Sequence, residues 1–477
     1  MDAFLNKNRR PLIMTAKSAI SNILKIISAA SIVVLFYIGV TYFGTDISLL
    51  LITIAFMLFY VLLPGCLIIG ASKLSGEHIS TYLIRGFFAG FIFNILIYFI
   101  TDLIGTDILM YSAGPVLSVI YIIKRIRTKE NRGPGAAAVI KKLPASLFIF
   151  FALVFLYSFL TTQGTYIPPY MADFSEIKLD FGFHAGIING LVRGFPANNP
   201  WVMGRTIYYH FFTEMLYSIP VRLFNVRAEE LLLCCTPYII TPVFSCALYS
   251  FFREFVRDGR KCGLYCLSLL LSNMFILKSF PSSWFLYHLF SNINNAGMGI
   301  AGMLVILPLL KTWDNNVIRD SERGAIREVI FLAAMIMLTT GIKGPAAIVV
   351  VGGMTGTVIL GLILRKLDLR TIPALIIAAA SFTFIFVYVL GSNGIGSSGG
   401  KGGGSLLNPW EVTDIFFFKD NIMRMFPSRS VSLVVLLAAF VVISLTAFIA
   451  PFIIGYIREL FLVLSRRKEF IFSKVTV

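Results

Sequence analysis

Largely apolar stretches of bilayer-crossing length recur along the whole chain, and they limit its fold more than any other feature. Runs near 23–43, 49–71, 81–101, 106–123, 143–161, 229–252, 263–278, 296–311, 328–341, 346–364, 371–391 and 431–454 each approach the roughly 20 residues a helix needs to cross hydrocarbon. Backbone N–H and C=O groups in lipid must be satisfied inside the segment, which allows helices and excludes open sheets. The expected fold class is therefore all-α and polytopic, with about twelve transmembrane helices.

Composition removes the soluble alternative. Of 477 residues, 57% are hydrophobic and 14% are charged, against about 25% charged in an ordinary soluble domain. So few charges cannot cover a soluble surface while the apolar side chains stay inside. Lys and Arg number 41 against 24 Asp and Glu, a net +17. In a soluble protein that excess would suggest nucleic acid, but here the cations lie between the apolar runs, and no nucleic-acid partner is expected.

Their placement orients the chain. Lys7, Arg9, Arg10 and Lys17 precede the first run; Lys124, Arg125, Arg127, Lys129, Arg132, Lys141 and Lys142 follow the fourth; Arg365, Lys366 and Arg370 follow the tenth. By the positive-inside rule these loops are cytoplasmic, whereas the loops holding Asp46, Asp102 and Asp107 lie outside. If 206–224 were a further span, Arg253, Arg257, Arg260 and Lys261 would fall outside. Segments 181–194 and 206–224 are thus expected as helices in the outer interface, with both termini cytoplasmic and the protein in the cell membrane. The first run lacks a small-residue cleavage pattern and reads as a signal anchor.

Three parts are expected: a four-span module over 1–142, ending in the basic stretch with Gly133-Pro134-Gly135; a membrane core over 143–391 with an external loop at 162–228; and 392–477, a Gly-rich external loop with a last span. A shorter external stretch covers 279–295. The Gly391–Ser405 tract is no phosphate-binding P-loop, since Lys401 precedes Gly402 and no strand leads into it. It reads as a hinge or a lid. The cysteines Cys66, Cys234, Cys235, Cys246, Cys262 and Cys266 fall in or at the ends of runs, so no external disulfide framework is expected.

Polar chemistry concentrates in 166–210. Two of the four histidines, His184 and His210, lie there with three carboxylates, Asp173, Glu176 and Asp180. Such groups at a membrane surface are costly unless paired or used. Asp180 and His184 are spaced i,i+4, so a helix sets them on one face, able to hold a proton acceptor; alternatively, Asp180 caps the helix. Ile187, Ile188 and Leu191 form an adjoining stripe suited to lipid. Pro196-Ala-Asn-Asn-Pro200-Trp201 reads as a rigid turn, and Trp201, Tyr208 and Tyr209 suit either an interface belt or sugar contact. A divalent metal, Mg or Mn, stays open through Asp173, Asp180, His184 and His210, although no fixed-spacing metal motif is present.

The series Asp180-Phe181, Phe195-Pro196, Pro200-Trp201, Gly204 and Tyr208-Tyr209 resembles the signature of the multi-pass membrane proteins named for a tri-tyrosine (YYY) motif, with His210 in place of the third tyrosine. Those are similar in turn to GT-C glycosyltransferases, which use polyprenyl-phosphate sugars. The resemblance implies an inverting GT-C enzyme whose external loop carboxylate is Asp180, with Asp173 as its rival. It implies as substrates a polyprenyl-phosphate sugar, drawn from membrane lipid, and a glycan, lipid or protein acceptor in the envelope. On this reading the scarce external cations, Lys343, Arg205, Arg424, Arg429 and Lys278 among them, meet the donor phosphate beside Tyr208, Tyr209 and His210. His288 is a further external candidate. Two other readings stay open: a transporter or flippase of lipid-linked glycans, and an O-antigen-ligase or polymerase-like enzyme of different fold.

Overall fold

The computed structural model describes residues 22–34, 37–38, 46–72, 78–127, 144–162, 179–200, 207, 210–256, 258–276, 296–318, 322–363 and 371–389. These are almost wholly helical. In chain order they form α1 (Asn22–Val34), α2 (Ile47–Ser72), α3 (Ile79–Ile104), α4 (Ile108–Arg127), α5 (Ala145–Thr162), α6 (Leu179–Val192) and α7 (Phe212–Phe224). There follow α8 (Thr236–Phe255), α9 (Gly259–Ile276), α10 (Ala296–Ile318), α11 (Glu322–Ile342), α12 (Gly344–Ile363) and α13 (Thr371–Val389). Among the described residues no strand forms.

In its described residues every expected run from 23–43 to 371–391 falls on a helix, while 431–454, with the rest of 392–477, lies outside the described residues. Twelve spans are not shown. Among the described residues five helices, α2, α3, α4, α12 and α13, are long and apolar enough to cross a membrane. The protein is thus all-α in its described part, with helices suited to a bilayer.

Two compact units divide the chain, one comprising Met1–Val192, Leu216–Leu271 and Tyr287–Gly297, the other Arg193–Met215, Ser272–Leu286 and Met298–Val477. In the first, α2 and α3 meet backbone to backbone. A Cβ added at Gly65 would strike the Gly86 carbonyl, and one at Gly90 would strike that of Val61. In lipid, where burial of apolar surface gives helices little reason to associate, such close approach supplies the dispersion contacts that hold them.

A π-helical turn, Met57–Leu62, interrupts α2. Its wider winding displaces carbonyls from the regular ladder, and buried polar side chains meet them. Asn94 Nδ2 donates to Tyr60 O at 2.7 Å, and Ser118 Oγ donates to Phe59 O. At the start of the same helix Asp46 serves as N-cap, accepting from Ser48 N–H at 2.9 Å.

Antiparallel contacts define two ends of this unit. At one, Thr81 Oγ1 lies 2.8 Å from Ser250 Oγ and donates to Glu254 Oε1 at 3.0 Å, while Arg253 Nη2 lies 3.4 Å from His78 Nδ1. Tyr82 and Tyr121, hydroxyls 3.3 Å apart, bring the end of α4 here too. At the other end Arg222 pairs with Asp107 at 2.6 Å, and Asn189 donates to Glu229 at 3.1 Å. The folded unit therefore sorts its charge. Lys124, Arg125, Arg127, Arg253, Arg260 and Lys261 gather with Glu254 and Asp258, and Asp46, Asp102, Asp107, Glu229 and Glu230 gather with Arg222 and Arg227.

In the second unit α11, α12 and α13 pack on one another, and α10 runs along α11 through glycines. A Cβ at Gly302 would come within 2.6 Å of Thr339 Oγ1, and one at Gly299 within 2.6 Å of Lys343 Cβ. A single residue, Lys343, joins α11 to α12.

Candidate functional site

Helix α6 carries the expected carboxylate and imidazole. Asp180 is its second residue, inside the helix and not at the cap position, and His184 follows one turn later. The His184 side chain is buried, 1% exposed, with its ring edge-to-face against Phe183 at 5.8 Å. Tyr98 OH donates to Leu191 O at 2.6 Å, satisfying one of the carbonyls that a helix leaves open at its C-terminus.

The lipid-facing stripe expected on this helix is corrected. Ile187, Ile188 and Leu191 are fully buried within the protein. Helix α7 is enclosed as well, with Phe212, Met215, Leu216 and Ile219 all buried. In their described residues the two helices run 14 and 13 residues, roughly 20 Å each, less than a bilayer crossing needs. They hold polar groups, His184 and Glu214, inside the fold.

In the second unit the described residues between Arg193 and Met215 are held at several points. Gly194 takes φ 134°, open to glycine because it lacks a Cβ. Ile207 N–H donates to Ala197 O at 2.9 Å, tying Ile207 to the residue that follows Pro196. The Phe211 ring lies 5.6 Å from that of Phe195, and the Phe212 ring occupies the space that a side chain on Gly341 would need. Between these anchors sits His210.

His210 Nε2 lies 3.3 Å from Lys343 Nζ. An ammonium only donates, so this contact assigns the lone pair to Nε2 and the proton of a neutral imidazole to Nδ1. Lys343 also immediately precedes α12, whose N-terminal amides carry partial positive charge. Lys343 also directly follows the C-terminal end of α11, which favours its ammonium, and an anion placed here would meet that ammonium and the start of α12. Space for one exists: a Cβ on Gly344 would meet no neighbouring atom within 4 Å. The arrangement suits a phosphate, which would accept from an ammonium and an imidazole beside a helix N-terminus.

Comparison with protein-family models, characterised proteins and solved structures finds no match for this chain.

Of the expected site residues, Lys343 and His210 come together, and Asp180 and His184 share a helix. Asp173, Glu176, Arg205, Tyr208, Tyr209, Lys278, His288, Arg424 and Arg429 lie outside the described residues. Among the described residues no three His, Cys, Asp or Glu side chains converge as a metal site.

Glu214 was not anticipated. It lies four residues after His210 in the same unit, in the first turn of α7, and is 2% exposed. It is the lone acidic residue within 206–224, and an ionisable group in so apolar a segment is itself the signal that would have found it.

Proposed function

We propose that the protein is a GT-C-type glycosyltransferase with about twelve spans, which takes a sugar from a polyprenyl-phosphate donor and passes it to an extracytoplasmic glycan, lipid or protein. The observation that carries this reading is the Lys343–His210 pair at the N-terminus of α12. A lipid-linked phosphate needs a cationic seat beside apolar helices, and here the seat is built from a lysine, an imidazole and a helix end. During transfer the sugar C1–O bond to phosphate breaks and the acceptor oxygen takes its place with inversion. Charge accumulates on the departing phosphate, where Lys343 and His210 stabilise it. The sequence resemblance, independently of this pair, assigns the acceptor hydroxyl's proton to a carboxylate, Asp180 with Asp173 as its rival, a role worth about 10²–10⁴-fold in rate. The charge sorting of the first unit supports the orientation: its basic end is cytoplasmic and its acidic end, which carries α6, is external.

The test is binding by the full-length protein in nanodiscs of polyprenyl phosphate against the uncharged polyprenol. Preference for the phosphate, lost in Lys343→Met, is expected. Equal affinity for the two lipids, or a preference untouched by Lys343→Met, would overturn the assignment.

A further inference from the structure

Within the first unit, a cavity of about 380 Å³ opens between α2, α3 and α8. Protein interiors contain few voids larger than a water molecule, so a space of this size needs an explanation. Its cause is local. The π-helical turn Met57–Leu62 lines one wall, and Pro242 interrupts the opposite helix. The walls are almost entirely hydrocarbon, including Leu62, Ile84, Phe87 and Val243, and an apolar cavity excludes water while admitting apolar guests. Its rim includes Ile54 and Leu58, 48% and 37% exposed, on a helix suited to the bilayer. These side chains belong against lipid.

Charge decides from which end the guest enters. Leu83 and Cys246, at one end of the cavity, lie five and seven residues from His78 and Arg253, roughly 7–11 Å along their helices. That end of the unit is the basic one. The opposite end carries Asp46, Asp102, Asp107, Glu229 and Glu230 against Arg222 and Arg227, which pair with Asp107 and Glu230, and its net negative charge repels an anion. A phospholipid phosphate at Arg253 and His78 would direct an acyl chain into the cavity at the depth where the cavity begins.

We propose that this cavity is a binding site for one acyl chain of an anionic phospholipid, with the headgroup at the Arg253–His78 end. The inference stands apart from the glycosyl-transfer reading, since the site lies at the end of the unit opposite α6 and takes a different lipid.

The probe is phosphatidylglycerol carrying a mid-chain diazirine, in nanodiscs of phosphatidylcholine containing the full chain. Cross-links are expected on 53–62 and 238–246, several-fold above those on the lipid-exposed face of α4 at Val116 and Val119. Val243→Phe, which fills the cavity, should abolish the excess, and Arg253→Gln should reduce it toward the level of a diazirine phosphatidylcholine probe. Should Val243→Phe fail to fold, Ile54→Trp at the rim closes the mouth without touching the core. Labelling no greater than on α4, labelling insensitive to both filling variants, or displacement by polyprenyl phosphate more readily than by unlabelled phosphatidylglycerol would each overturn the proposal.

Discussion

Lys343 and His210, separated by 133 residues, meet at 3.3 Å between Nζ and Nε2. The contact fixes the imidazole tautomer and leaves a cationic seat at the start of α12. Charge-assisted hydrogen bonds contribute about 1.5–3 kcal/mol. Lys343→Met is therefore expected to weaken polyprenyl phosphate binding roughly ten- to hundredfold, with polyprenol binding unaffected, as read by titration in nanodiscs.

The seat can also be disturbed without removing a polar group. A side chain at Gly299 would press on Lys343 Cβ. Gly299→Val should displace the lysine and destabilise the protein by about 1–3 kcal/mol. A lower melting temperature together with weaker phosphate binding is the expected result, and unchanged binding would show that Lys343 is not held from this side.

Asp180→Asn keeps shape and removes the base. Sugar transfer from a polyprenyl donor should fall by about 10²-fold or more, with thermal stability and polyprenyl phosphate binding retained. Full activity in a correctly inserted Asp180→Asn protein would transfer the role to another carboxylate, and Asp173→Asn is the paired control.

At the acidic end, Arg222 and Asp107 form a part-buried ion pair at 2.6 Å. Either Arg222→Ala or Asp107→Ala leaves a charge without its partner, at an expected cost of about 1–3 kcal/mol. The double variant should cost less than the sum of the two, and near-additive melting temperatures would mean the pair contributes little.

Asn94 tests the π-helical turn. Its amide donates to Tyr60 O and, at 2.7 Å, to Gly90 O. Asn94→Leu is expected to cost about 0.6–2 kcal/mol and to alter hydrogen exchange around Met57–Leu62 before that of the rest of α2.

The helices were legible because hydrocarbon tolerates few alternatives. An apolar run such as 81–101 must satisfy its own backbone, and length with composition suffices to place it within the helix Ile79–Ile104. The sorting of Lys124, Arg125 and Arg127 away from Asp102 and Asp107 could likewise be read from position alone, because consecutive spans reverse direction. The Asp180–His184 spacing survived as one turn of α6. Local periodicity could not reveal what covers Ile187 and Ile188: lipid and a neighbouring helix are equally apolar, and a stripe made for one is indistinguishable from a stripe made for the other.

The sequence by itself thus determined helices through the described residues, five of them there long and apolar enough for a bilayer, with charges divided between their ends, since those follow from solvation of each segment taken alone. Tertiary structure decided the rest. It set Gly65, Gly86 and Gly90 at a backbone-to-backbone contact, opened a cavity beside a π-helical turn, buried α6 and α7 inside the protein, and brought Lys343 to His210. Each of these depends on the distance between segments far apart in the chain, which packing sets and no local pattern records.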